Sequence, residues 1–132
     1  GSTSGDIFQT LKDHKDEILD IAIDPTGKKL VTVSADGTGR LYKFPELTLI
    51  AVLEGTDFFT LNNIIVPLGH GGYIIKVCFN QQGTKILTAS GDSTARVWSA
   101  ETGELIQTLT GTYYIFLVIY GINHLDHLLF VL

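Results

Sequence analysis

Apolar and polar positions alternate along this chain in short bursts, and no stretch keeps helical spacing over the length a helix needs. Residues 18–24 are apolar-rich, with Ile21 and Ile23 on one side of an extended segment. Pro25-Thr26-Gly27-Lys28 is turn chemistry, because proline fixes φ and glycine admits positive φ. Residues 30–34 are β-branched and apolar, Asp36-Gly37 is a tight-hairpin pair, and two further strands are predicted at 39–44 and 49–53. The same succession then recurs: strands at 74–80, 86–90, 95–99 and 105–109, with turns at 81–84 and 91–93. The pattern predicts an all-β chain.

The recurrence is a sequence repeat as well. Residues 14–55 laid over 70–111, an offset of 56, give thirteen identical pairs among 42. These include His14/His70, Thr32/Thr88, Ser34/Ser90, Asp36/Asp92 and Arg40/Arg96, and Tyr42 stands over Trp98. A third, partial copy opens the chain: residues 4–11 match 102–109 at an offset of 98, which leaves 42 residues as the natural unit. Fourteen surplus residues, 56–69 (TDFFTLNNIIVPLG), separate the two full units.

A unit of this length with a histidine, a strand-two serine, a turn aspartate and a strand-three aromatic resembles the WD40 family. The resemblance implies four-stranded propeller blades, here two of them, forming a partial propeller with a non-family insert and an apolar tail. It also implies that His70, Ser90, Asp92 and Trp98 form a structural hydrogen-bond network, aspartate orienting histidine, histidine bonding serine, and serine bonding the indole N–H. His14, Ser34, Asp36 and Tyr42 are the counterparts, with tyrosine in place of tryptophan. The usual Gly-His and Trp-Asp dipeptides are replaced by Asp13-His14 and Trp98-Ser99. The organisation expected is the last strand of a preceding blade at 1–13, blades at 14–55 and 70–111, an insert at 56–69 and a tail at 112–132. The wording of residues 16–42 and 74–98 further resembles the dynein assembly factors with WD repeats. That resemblance implies a cytoplasmic, ciliary or flagellar adaptor whose partners are dynein subunits and ciliary transport machinery.

Composition narrows the field. Hydrophobic residues make up 45% of the 132 and charged residues 17%, with mean hydropathy +0.26, ample for a buried core. A net charge of −5 argues against nucleic acid, which needs a basic face to displace counterions. The lone Cys78 reads as a small packed strand residue, and GSTSGDIFQT lacks the basic and apolar regions of a signal peptide. The tail, TYYIFLVIYGINHLDHLLFVL, has an apolar run at 113–122 that is short of the roughly 20 residues a span requires, so a membrane anchor is not expected. Insert and tail both read as foreign to the repeat, as translated intron would be.

Candidate chemistry is sparse. His70, Ser90 and Asp92 have the residue types of a hydrolase triad, but the same trio recurs as His14, Ser34 and Asp36, as a framework requires and an active site does not. There is no Gly-x-Ser-x-Gly elbow, and Gly37-Thr38-Gly39 lacks the Gly-Lys-Ser/Thr of a phosphate loop. His124 and His127 with Asp126 lack a further ligand set, and Arg40 and Arg96 share a strand position that fits a framework role. No enzyme, cofactor or metal site is expected. The rim carrying the histidines would instead present Lys15, Asp16, Glu17, Asp20, Tyr73 and Lys76 to a protein partner, aromatics anchoring and charges steering. The expectation is a non-enzymatic protein-interaction scaffold for axonemal outer-arm dynein. The alternatives are a substrate receptor of a ubiquitin ligase or another multiprotein scaffold, and a protein anchored in a membrane by its tail.

Overall fold

The computed structural model describes residues 5–54, 58–61, 64–67, 74–92 and 94–110. Ten strands lie among them: β1 (Ile18–Ile23), β2 (Lys29–Ser34), β3 (Gly39–Lys43), β4 (Leu49–Leu53), β5 (Phe58–Leu61), β6 (Ile64–Pro67), β7 (Ile74–Phe79), β8 (Lys85–Ser90), β9 (Thr94–Ser99) and β10 (Leu105–Thr110). Strands β1 to β4 form one antiparallel meander and β7 to β10 a second, each with four strands in sequence order. The two copies keep one register: Thr32 faces Arg40 across β2–β3 as Thr88 faces Arg96 across β8–β9. Both first strands carry a bulge at the same place, between Ile18 and Asp20 and between Ile74 and Lys76.

Turn chemistry fixes each meander. The Asp24 carboxylate accepts the N–H groups of Lys28 (2.7 Å) and Lys29 (2.8 Å) and the Thr26 hydroxyl (2.6 Å). Asn80 does the same for Thr84 (2.8 Å) and Lys85 (3.0 Å) in the second unit. An Asx side chain thus closes the β1–β2 and β7–β8 turns identically.

The core lies between the sheets. Val31, Val33, Leu41 and Leu53 project from the first meander onto Ile74, Val77, Ile86, Trp98 and Ala100 of the second, all at 6% exposure or less. Strand β7 packs on β1 and β2, so the sheets stack face to face as neighbouring blades do. Three polar or close contacts fix the junction. The Val77 N–H donates to Asp20 Oδ2 (3.0 Å), and Lys29 Nζ donates to the Ala100 carbonyl (2.7 Å). Gly103, at φ +78°, brings its backbone so near that an added Cβ would lie 2.4 Å from the Ala51 Cβ.

Two observations concern the flanks of the blades. Residues 5–13 carry no strand, and residues 1–4 of the segment expected to end a preceding blade lie outside the described residues. The 56–69 segment contributes an antiparallel hairpin of its own, β5–β6, with Leu61 opposite Ile64.

Candidate functional site

The histidine end of the first blade is a closed polar network. Asp36 lies in the β2–β3 turn with its carboxylate folded back: Oδ1 accepts the Thr38 N–H (2.8 Å) and hydroxyl (2.6 Å), and Oδ2 accepts the Lys15 N–H (3.0 Å) and meets His14 Nδ1 at 3.0 Å. Burial by itself raises the carboxyl pKa. The bonds from Thr38, Lys15 and His14 together outweigh that, and hold it well below the usual carboxylate range. An ionised carboxylate only accepts, so Nδ1 carries the proton, and on the neutral ring Nε2 accepts from the Thr32 hydroxyl at 2.7 Å. The imidazole is 4% exposed.

The hydroxyl on His14 is therefore that of Thr32, and the strand-two serine named by the resemblance is replaced in this role. Ser34 Oγ accepts the Asp36 N–H (3.0 Å) and donates to the Asp16 carbonyl (3.2 Å), so it closes the turn. The second blade agrees. Trp98 Nε1 donates to Thr88 Oγ1 at 2.9 Å, while Ser90 Oγ accepts the Asp92 N–H at 3.1 Å and Asp92 Oδ1 accepts from Thr94. Serine and threonine sit two residues apart on one face of the strand. The serine is the one beside the turn, too far along to meet an imidazole that enters at mid-strand. Thr32 and Thr88 were themselves an identical pair in the repeat, which is the signal that could have singled them out. His70 and Tyr73 lie outside the described residues.

Tyr42 does not take the tryptophan's place in the chain of bonds. Its hydroxyl passes Thr32 and donates to Asp13 Oδ2 at 2.8 Å. Burial, then that bond and the Asp13 charge, push its pKa up to about 12 against a smaller opposing effect of Arg40. Asp13 stands where the second copy has Gly69, and Tyr42 where it has Trp98. The two departures from the repeat are thus one paired replacement.

His14 Nε2 meets the hydroxyl of Thr32, itself 5% exposed, and Nδ1 lies 3.4 Å from the hydroxyl of Thr38, which is held on Asp36. Among the described residues no three His, Cys, Asp or Glu side chains gather as metal ligands, and no helix is long and apolar enough to cross a membrane. The histidine pair His124 and His127 lies outside the described residues.

The rim is reduced as well. Lys15, Asp16, Glu17 and Lys76 are exposed, but Asp20 is half-buried with its carboxylate on the Val77 N–H, so it belongs to the blade junction. Arg40 and Arg96 occupy matching ladder positions, and burial lowers the Arg96 pKa while Asp92 opposes that. Beside the rim, the outer face of the first blade opens a groove of about 380 Å³ lined by Leu11, Asp13, Ile18, Ile21, Leu30 and Tyr42, among others.

Comparison with known proteins agrees with this geometry. The profile described as WD domain, G-beta repeat matches residues 5–43 and 61–99, and the chain belongs to the WD40 family. Each match opens nine residues ahead of its histidine, the second inside the 56–69 segment. The chain is 31% identical over 106 residues to WD40 repeat-containing protein HOS15 of Arabidopsis thaliana, covering 76% of this chain and 17% of that protein. It is 37% identical over 82 residues to human angio-associated migratory cell protein (62% and 16%). It is 26% identical over 101 residues to bovine WD repeat-containing protein 1 (76% and 15%). Among solved structures, the RRP9 WD40 repeats superpose with a TM-score of 0.66 at 14% identity, covering 78% of this chain and 28% of that one. The chain thus spans less than a fifth of the length of these curated relatives.

Proposed function

We propose that this chain contributes two blades to a non-enzymatic WD40 scaffold whose surfaces bind proteins. The observation that supports this most is the sealed His14–Asp36–Thr32 network, which uses every polar atom of a would-be triad to hold a blade together. Adjacent blades stabilise each other only across their faces. The exposed Ile18, Ile21 and Ile23 of the first blade therefore call for a neighbouring blade.

The particular scaffold we propose is an adaptor for axonemal outer-arm dynein, working in the cytoplasm and cilium. This reading draws on the wording of residues 16–42 and 74–98 and on an acidic rim suited to a protein partner. Pull-down from ciliated cells tests it. Dynein heavy and intermediate chains are the expected captures, and cullin components in their place would make the protein a ubiquitin-ligase receptor.

A further inference from the structure

The end of the first blade opposite His14 carries a feature that the repeat does not dictate. A pocket of about 500 Å³ lies between the β1–β2 turn and the β3–β4 turn, walled by Lys28, Lys29, Lys43, Phe44, Pro45 and Ile50. Three of the nine cationic residues of an acidic chain thus converge on one hollow. Lys29 is committed, its ammonium donating to the Ala100 carbonyl. Lys28 and Lys43 are exposed, and neither ammonium bonds a carboxylate among the described residues. Glu46, also exposed, is the one carboxylate on the lining, and the other nearby acid, Asp24, is buried in its own turn.

Comparison at the offset of 56 separates this from framework. Only Lys29 recurs, as Lys85; Lys28 and Lys43 become Thr84 and Ser99, Phe44 and Pro45 become Ala100 and Glu101, and a second acid, Glu104, follows. The second blade therefore has neutral hydroxyl residues where the first presents Lys28 and Lys43, and an acid, Glu101, where the first has its proline. The histidine end of the first blade is acidic too, with Asp13, Asp16, Glu17, Asp36 and Glu54 against Lys12 and Lys15. Lys28 and Lys43 are thus particular to this hollow of the first blade.

We propose that this pocket binds an acidic peptide segment of a partner protein, with an apolar side chain seated on Phe44, Pro45 and Ile50 and flanking carboxylates on Lys28 and Lys43. A concave apolar floor between two unpaired cations suits carboxylates bracketing a hydrophobic residue. A flat anionic membrane would meet the lysines and leave the floor unused. The proposal rests on the scaffold reading but not on dynein as the partner, so capture of cullin components would leave it standing.

The test is fluorescence anisotropy of the chain with a labelled short peptide in which Asp and Glu alternate with Leu and Phe, beside its Asn/Gln twin. We expect the acidic peptide to bind, weakening as salt rises, and the neutral twin to bind about tenfold more weakly. Lys28→Glu and Lys43→Glu should each weaken binding about fivefold, while Lys12→Glu, exposed at the other end, leaves it unchanged. Thermal melts establish that each variant folds, and Lys28→Gln and Lys43→Gln replace any that does not. Equal binding of the twin, no binding of either peptide, an equal loss in Lys12→Glu, or binding to phosphatidylserine vesicles without peptide binding would overturn the proposal.

Discussion

The two blades share a skeleton and differ in what lies against it. Ile18, Ile21 and Tyr42 of the first blade occupy the positions of Ile74, Val77 and Trp98 in the second. Ile74 and Val77 are 0% and 6% exposed because the first blade covers them, whereas Ile18 and Ile21 are 51% and 56% exposed. Residue type is the same; only the neighbour differs. An apolar run in a first strand therefore marks a face to be covered and says nothing of what covers it.

The closest approach between the blades gives the sharpest way to break this comparison. Leu47 of the first blade, at φ 60°, stands where the second has Gly103 at φ +78°. Leu47 faces the open groove, but a side chain at 103 would run into Ala51. Gly103→Leu should lower stability by about 3 kcal/mol, from overpacking combined with a strained backbone. Chemical denaturation checks this, and a loss under about 1 kcal/mol would mean that the junction is not packed as described.

Next in size is the contrast between hydroxyls. Thr88→Val strands the buried indole N–H of Trp98 and should cost about 2 kcal/mol, while Ser90→Ala removes one turn bond and should cost about 1. The reverse order would return the serine to the centre of the network.

The third prediction concerns the tyrosine and its aspartate. Tyr42→Phe should cost about 1 kcal/mol. In a double-mutant cycle, Asp13→Gly with Tyr42→Trp, which copies the second blade, should show a coupling of about 1 kcal/mol in favour of the matched pair. Strict additivity would show that Asp13 and Tyr42 are independent.

Smallest is the effect of pH, which also differs between the blades. The Tyr42 pKa is raised in the folded chain, so its contribution is whole below the ordinary value of 10.0 and fades as pH climbs through about 12. Trp98 has no such titration. Denaturation midpoints measured from neutrality to pH 12 should therefore fall less in Tyr42→Phe than in the native chain. On the acid side Asp36 is depressed, so its contribution is present above the ordinary carboxylate range and is lost as pH drops below it. Asp36→Asn should flatten that acid slope.

Much of this architecture could be read from the chain. The eight blade strands fall within a residue of their expected ends, because turn residues stand at the same places in both copies: Pro25-Thr26-Gly27 and Gln81-Gln82-Gly83, Asp36-Gly37 and Asp92-Ser93. The choice between Ser34 and Thr32 could not be read from period two, since both share a face; the depth at which His14 enters decides it. The Asp13–Tyr42 bond was hidden because its partners lie 29 residues apart and each looked like a separate lapse from the pattern. The lysine pocket was hidden likewise, its walls coming from two turns that alternation treats only as punctuation.

The bond from Val77 to Asp20 bears on how such units are strung together. At the equivalent place the second blade has Lys76, which has no oxygen to offer a backbone amide. The joint made once here cannot be made again by the next seam along. Exchanging the two blades would set Lys76 where Asp20 now stands and leave the amide at this seam without its carboxylate.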